Sequence, residues 1–235
     1  MPWWEQVLAG SAVGRSTEQE LLDAEELDPR ELRTNLREMA MLNRLPGGIG
    51  ASIAGIRWAC RGVTEPRLLD VGTGSGDLPR RIARELPHAR VTAVDAHADV
   101  LVIARRNLVR TSDVTILQAD ARRLPFADGA FEVVHASLLL HHLDVEAAVE
   151  ALAEMRRVAG RGVVVNDLRR GFMAVAVSTV SVLALSRGHY TRHDGPISAR
   201  RAYTLPELDG LAAQAGMAPA WRTPGFWPRV TTVYR

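Results

Sequence analysis

The sequence predicts an α/β fold with a doubly wound, mostly parallel sheet. Short apolar runs of strand character alternate with helical stretches. The predicted strands lie at 67–71, 90–95, 114–120, 131–137 and 162–168, and the predicted helices at 77–86, 97–110 and 144–158. Such alternation is typical of βαβ units, whose crossovers are nearly always right-handed. A glycine-rich turn directly follows the first run, at the strand end where open parallel sheets bind their ligands.

The N-terminal residues 1–62 lie outside this alternation and are predicted to form a helical cap or lid. Asp28 suits the N-cap of a helix, and Pro29 suits its first position. An apolar stripe then recurs at helical spacing until the glycines near position 47, and a second helix is expected at 49–61. The remaining residues, 63–235, form the predicted core domain.

A second departure from the alternation is an insert at 169–203. It begins with an apolar helix at 172–185 and continues as a polar loop, in which Asp194-Gly195-Pro196 predicts a turn. A last helix at 204–216 and two final strands, arranged as an antiparallel hairpin, complete the chain. The hypothesis for both additions is that residues 1–48 and 169–203 cover a substrate pocket.

Composition limits the function classes. All 29 basic residues are arginine, which excludes chemistry that needs a lysine Schiff base or a P-loop lysine. The arginines are scattered and the net charge is +2, so nucleic-acid binding is not expected. The longest apolar run is too short to span a bilayer, and the histidines show no metal-ligand spacing. A single cysteine, Cys60, fits a reducing cytoplasm. We expect a cytoplasmic monomer or homodimer without metal or stable membrane insertion.

The glycine turn, "LLDVGTGSGDLP", does not have the spacing of a dinucleotide site. Gly72, Gly74 and Gly76 alternate, whereas a pyrophosphate loop requires the pattern G-x-G-x-x-G. Asp70 and Asp77 flank the turn, and their carboxylates would repel a phosphate and attract a sulfonium that carries an ammonium group.

Two further acids follow neighbouring strands. Asp95 ends the second strand, where it can accept hydrogen bonds from both hydroxyls of a ribose. Asp120 ends the third strand, where it can accept from an adenine amino group. Together with the glycine turn, these positions form an adenosine-shaped site without a phosphate-binding charge.

Four motifs in this order, "LLDVGTGSGDLP", "VTAVDAHADVL", "ILQADARRLPF" and "FEVVHASLLLHHL", resemble the class I S-adenosylmethionine-dependent methyltransferases over residues 65–168. The resemblance implies a Rossmann-like seven-stranded sheet with a reversed last strand. It also implies S-adenosylmethionine as cofactor and S-adenosylhomocysteine as product. The cofactor-binding residues that it implies are Asp70, Gly72, Thr73, Gly74, Gly76 and Ser137 around the methionine part, Asp95 and Ala96 at the ribose, and Asp120 and Ala121 at the adenine.

Other motifs narrow the expected acceptor. "LHHL" is frequent in the branch with quinone C-methyltransferases and small-molecule O-methyltransferases. "HASLLL" stands where methyltransferases of base amines and glutamine amides carry an Asn/Asp-Pro-Pro-aromatic motif. "NDLRR" and "YTRHDGPISARRAY" resemble bacterial methyltransferases associated with aromatic polyketide and quinone assembly. The expected acceptor is a small apolar aromatic or polyketide-like molecule, methylated at a phenol or hydroquinone oxygen or at a ring carbon.

A phenol needs a base or a partner that stabilises its phenolate. We predict His141 or His193 as the base, with Asp167 or Asp194 as the carboxylate that orients it. His142, Asp194, Arg200 and Arg201 are predicted to contact the substrate. Two alternatives stay open: an NAD-dependent oxidoreductase, disfavoured by the glycine spacing and by Asp70, and a non-catalytic cofactor-binding partner subunit.

Overall fold

The computed structural model describes residues 14–24, 26–111, 114–223 and 228–235. Its strands are β1 (Arg67–Val71), β2 (Arg90–Asp95), β3 (Val114–Gln118), β4 (Phe131–Ser137), β5 (Ala159–Leu168), β6 (Pro219–Arg222) and β7 (Arg229–Tyr234). Its helices are α1 (Pro29–Leu42), α2 (Ile49–Ala59), α3 (Asp77–Glu85), α4 (Ala98–Leu108), α5 (Val145–Val158), α6 (Phe172–Leu185), α7 (His189–Arg201) and α8 (Leu205–Gln214). Short 3₁₀ turns occupy Leu21–Asp23 and Leu140–His142.

The sheet has seven strands in the order β3-β2-β1-β4-β5-β7-β6. Strands β1 to β5 run parallel to one another, and β7 pairs antiparallel with both β5 and β6. This confirms the predicted fold class, including the reversed last strand. The strand order reverses between β1 and β4, so a crevice for a ligand is expected at the carboxyl ends of these two strands.

Side chains alternate along each strand and supply a separate core to each face of the sheet. Leu69 and Val134 face a core shared with α5 and α8. Leu68, Val133 and Val164 face the opposite core, which is shared with α2 and α3. Helix α2 therefore belongs to the helical layer that covers the sheet. The proposed boundary at residue 62 stays a prediction, and residues 1–13 of the cap lie outside the described residues.

The polar part of the insert is a helix, so the prediction of a loop with a turn at 194–196 is wrong. Residues Thr191, Asp194 and Ile197 are buried along one side of α7, which packs against α6. Gly195 serves this packing, because a Cβ at its position would lie 2.7 Å from Val182 of α6. Tertiary packing thus outweighs the local turn signal, and Pro196 is accommodated inside the helix.

Smaller differences concern the ends of elements. Strand β5 begins at Ala159, before the predicted start at 162, and β3 ends at Gln118, before Asp120. The Asp28 N-cap is confirmed, since its side chain accepts from the amides of Arg30 and Glu31. The predicted hairpin is present as β6 and β7, although 224–227 lie outside the described residues. Within the described part of the chain, no helix is long and apolar enough to cross a membrane.

The position of α2 can be tested through the only cysteine of the chain. Cys60 follows α2, is buried with its apolar side chains, and burial raises the pKa of its thiol to about 11. Because the thiolate is the reactive form, native protein should react with a disulfide reagent at least about tenfold more slowly than unfolded protein. Stopped-flow absorbance measures this. Equally fast labelling of native protein would show that α2 leaves the sheet.

Candidate functional site

One cavity of 680 Å³ lies at the carboxyl ends of the central strands, where the strand order reverses. The structure brings the predicted cofactor-binding residues to this cavity, except Gly76. Those that line it are Asp70, Gly72, Thr73, Gly74, Asp95, Ala96, Asp120, Ala121 and Ser137. Sequence reasoning identified this half because each residue lies at the end of a strand or just after it, in a local motif.

The glycine turn folds as it does because its backbone is left-handed at alternate positions. Gly72, Gly74 and Gly76 have φ angles of 70°, 54° and 80°, a region that side chains disfavour. Gly76 does not line the cavity; it precedes α3, and a Cβ there would lie 2.7 Å from Leu108. Gly76 therefore contributes to the turn by its close packing against Leu108, on the side away from the cavity.

The acids of this half are held by nearby donors. Asp95 accepts hydrogen bonds from the amides of Gly74, at 3.0 Å, and His97, at 3.1 Å. Asp120 accepts a hydrogen bond from the Arg122 guanidinium, and this bond holds the pKa of the Asp120 carboxyl below its ordinary value. Asp70 is buried and contacts Thr73 and His135. Each carboxylate keeps lone pairs for a further donor, such as a ribose hydroxyl or an ammonium group.

The other half of the cavity has an apolar wall from the N-terminal region. We call residues 14–24 the strap; it crosses the cavity together with α1. The apolar lining side chains of this half are Leu22, Leu27, Leu32, Leu36, Met39, Leu139 and Leu143. Among the polar side chains of this half, Asp23 contacts both His142 and Arg201 and forms a charged cluster with them. Arg15, Ser16, Thr17, Gln19, Asn35, Asn43 and Asp144 also line it.

The strap is fixed mainly by α7 and by the turn before α5. Asp194 is buried and its carboxylate accepts from the amides of Leu21, at 2.9 Å, and Leu22, at 3.2 Å. Arg15 donates to the carbonyls of Arg201 and Leu143, each at 2.7 Å. These contacts explain why the strap follows the cavity wall.

Three predicted residues therefore have other surroundings than expected. Asp194 holds the strap, and His193 lies beside it with a 40% exposed side chain, 2.8 Å from the Asp194 carboxylate. Arg200 forms an ion pair with Glu18 at 3.5 Å. None of the three is among the described residues that line the cavity. The prediction of a loop placed them at the substrate, whereas the helix turns them towards the strap.

The adjacent histidines have different environments. His141 is buried, does not belong to the described lining, and its Nδ1 lies 2.6 Å from Asp167. Burial alone would raise the pKa of Asp167, but the charge and hydrogen bond of His141 outweigh it and hold that pKa below its ordinary value. His142 lines the cavity, and its ring is 4.3 Å from that of His141. The geometry thus favours His142 over the predicted His141 as the histidine that meets an acceptor.

Two strap carboxylates face His142, and the sequence analysis missed both. Asp23 lies 3.1 Å from His142 Nδ1 and is bonded to Arg201. Burial would raise the pKa of Asp23, but the hydrogen bonds from His142 and Arg201 lower it well below its ordinary value. Glu20 is buried more deeply, and burial raises its pKa despite His142 nearby. No sequence pattern marks these residues, because their partners are distant in the chain.

The same cluster contains side chains that could bind a metal, although no metal site was expected from the sequence. One ligand atom each from Glu20, His141 and His142 lie within 4.8 Å of one another. A cation is already beside them, since Arg201 lies 3.5 Å from Glu20 and is bonded to Asp23. We interpret the cluster as an ion-pair network on the cavity wall.

The sheet topology is that of the class I S-adenosylmethionine-dependent methyltransferase fold. Residues 68–162 match the family model described as a methyltransferase domain. The chain thus carries a methyltransferase domain, and it resembles the enzymes of quinone biosynthesis in this class. S-adenosylmethionine is the cofactor of the class, and the carboxylates and glycine turn of the cavity fit its ammonium group and ribose.

Two curated relatives and one solved structure illustrate the similarity. The chain is 33% identical over 158 residues to a malonyl acyl-carrier protein O-methyltransferase of Geobacter sulfurreducens, covering 66% of this chain and 57% of that protein. It is 38% identical over 130 residues to a demethylmenaquinone methyltransferase of Thermus thermophilus, covering 52% and 56%. A SAM dependent methyltransferase from Aquifex aeolicus has the same fold, with a TM-score of 0.60, 18% identity and coverage of 89% and 98%. The chain spans little more than half the length of the two curated relatives, and their names differ in acceptor.

Removal of the Asp95 carboxylate tests the cofactor half. Asp95→Ala should weaken binding of S-adenosylhomocysteine by about 1.5–3 kcal/mol, more than tenfold, because hydrogen bonds to the ribose hydroxyls are lost. Titration calorimetry measures this. Asp99→Ala, at an exposed position of the following helix, is the matched control and should leave the affinity unchanged. Preferential binding of NAD would contradict the assignment.

Proposed function

We propose that the protein transfers the methyl group of S-adenosylmethionine to a small apolar aromatic acceptor. The acceptor is a phenol, a hydroquinone or a polyketide-like molecule, methylated at oxygen or at a ring carbon. The observation that carries the proposal is the continuity of the cavity: the acids and glycine turn line one half, and leucine and methionine side chains together with a charged cluster of Asp23, His142 and Arg201 line the other. A flat apolar molecule with one polar group fits such a wall.

The residues of the chain supply alignment and exclusion of water. S-adenosylmethionine supplies an electrophilic methyl group on a sulfonium. Asp70 binds its ammonium group, Asp95 its ribose and Asp120 its adenine, while the strap and α1 cover the acceptor half. Holding reactants in line can contribute several kcal/mol to catalysis. This supports the lid hypothesis for residues 1–48; within the insert 169–203, Arg201 of α7 belongs to the described lining.

His142 is the proposed base for a phenolic acceptor. Asp23 lies at its Nδ1, which leaves Nε2 free to take the hydroxyl proton. The buried His141–Asp167 pair supports it, since Asp167 also accepts from the amide of Leu140 in the same turn. Arg201 donates to the carbonyl of His142 at 2.6 Å and provides positive charge beside a forming phenolate.

The relatives named for demethylmenaquinone and for ubiquinone/menaquinone biosynthesis support a quinone-type acceptor, although the Geobacter relative is named for malonyl acyl-carrier protein. The resemblance to polyketide and quinone enzymes favours the quinone type. We propose a cytoplasmic protein that acts as a monomer or homodimer. The oxidoreductase alternative lacks support in the described cavity, because carboxylates rather than cations flank the glycine turn. A non-catalytic partner subunit would bind the cofactor in the same way, so only turnover distinguishes it from an enzyme.

Turnover against a panel of phenols, hydroquinones and polyketide-like aromatics tests the function. We expect one acceptor class to give S-adenosylhomocysteine and a methylated product in equal amounts, measured by mass spectrometry. Aliphatic carboxylates of similar size are the control and should give none. Tight cofactor binding without turnover on any acceptor would favour the partner subunit.

The role of His142 has its own test. For a phenolic acceptor, His142→Ala should lower kcat at least about a hundredfold near neutral pH, because general-base help is lost. Activity should partly recover towards about pH 10, where the phenol ionises by itself. His193→Ala, the matched control outside the described lining, should keep kcat within about threefold. Equal activity of both variants would leave alignment and Arg201 as the sources of catalysis.

A further inference from the structure

We propose that His135 is a positioning residue that fixes the Asp70 carboxylate for the ammonium group of the cofactor and links it to Ser52 of α2. The inference rests on the proposed function, because it takes S-adenosylmethionine and S-adenosylhomocysteine as ligands. It assigns a role to a buried histidine that the site described above does not use in chemistry.

The three residues form a continuous buried chain of hydrogen bonds across three elements. His135 of β4 lies with Nδ1 2.8 Å from Asp70 of β1 and with Nε2 2.9 Å from the hydroxyl of Ser52 in α2. Their exposed fractions are 1–3%. All three nevertheless border the cavity at its glycine turn. A change in this chain would therefore be transmitted to the cofactor half.

The direction of each hydrogen bond follows from Asn166 at the end of the chain. Its Oδ1 accepts from Arg229 at 3.1 Å, so its Nδ2 is the donor. The two shortest contacts of that group are the Ser52 hydroxyl at 2.8 Å and the carbonyl of Gly48 at 2.9 Å. Since the Ser52 oxygen accepts from Asn166, its own proton is available for His135 Nε2. The ring then carries its proton on Nδ1 and donates it to Asp70. The arrangement therefore favours the tautomer with its proton on Nδ1.

Asp70 gains two things from this arrangement. A buried carboxylate needs donors, and here one oxygen accepts from His135 and the other from Thr73 at 2.7 Å. Both bonds fix the rotation of the carboxyl group, and each oxygen keeps a lone pair for a cationic ligand in the cavity that Asp70 lines. The ammonium of the amino-acid part is the complementary group, whereas the adenosine part is bound by Asp95 and Asp120.

The order serine, histidine, aspartate also occurs in hydrolases, where the hydroxyl attacks a carbonyl carbon. The surroundings of Ser52 support positioning instead. Ser52 is only 1% exposed, and its hydroxyl oxygen already accepts a hydrogen bond from Asn166. Covalent labelling of Ser52 by a fluorophosphonate would overturn this interpretation.

The test compares two ligands that differ in the amino-acid part. Titration calorimetry is run with S-adenosylhomocysteine and with 5′-methylthioadenosine, which lacks the ammonium group. His135→Leu should lower affinity for the first at least about tenfold and change affinity for the second by no more than about threefold. His135→Asn should restore the first affinity, because its amide nitrogen can take the place of Nδ1. His193→Asn, at the exposed histidine–aspartate pair, is the matched control.

Ser52→Ala provides a second readout if the leucine variant fails to fold. It leaves His135 in place but removes the donor that selects the tautomer, so it should weaken S-adenosylhomocysteine by about three- to tenfold and spare 5′-methylthioadenosine. Equal losses for both ligands, or an asparagine variant as weak as the leucine variant, would overturn the proposal. Wild-type protein that binds neither ligand would instead overturn the proposed function.

Discussion

A carboxylate at the end of a buried parallel strand needs hydrogen-bond donors. In this protein the donors come from loops, and these loops form the walls of the cavity. Asp95 at the end of β2 takes the amide of Gly74 and thereby holds the glycine turn. Asp167 near the end of β5 takes the amide of Leu140 and the ring of His141, which fixes the turn that presents His142. Because an unpaired buried charge is costly, these loops have little freedom to adopt another path.

The reversed last strand adds a cation to this arrangement. Arg229 begins β7 next to β5, where burial lowers the pKa of its guanidinium to about 10 and Asp167 counteracts that effect. It donates to Asn166, to Ser137 at 2.8 Å and to Asn43 of the cap. The strand that distinguishes this sheet from a fully parallel one therefore joins the cap, the sheet and the methionine end of the cavity.

The cofactor half could be predicted from sequence because its determinants are local. Gly72 and Gly74 follow a strand directly, and Asp95 ends the next, so strand pattern and residue type locate them without tertiary information. The acceptor half could be predicted only in part. His142 and Arg201 were expected there and line the cavity, but Asp23 and Glu20 come from the strap and meet them only in the folded chain. Gly195 shows the limit well: its sequence signals a turn, but close packing against Val182 decides the structure.

The strap also has a consequence for synthesis of the chain. Ser16 donates its amide to the carbonyl of Arg200, and Arg15 donates to that of Arg201, so the strap depends on partners that are synthesised much later. A growing chain can form β1 to β5 with their helices while the strap still lacks its support. The acceptor wall is therefore completed after most of the cofactor half, and a ribosome-bound or C-terminally truncated chain would hold the nucleoside half of the site before it could enclose an acceptor.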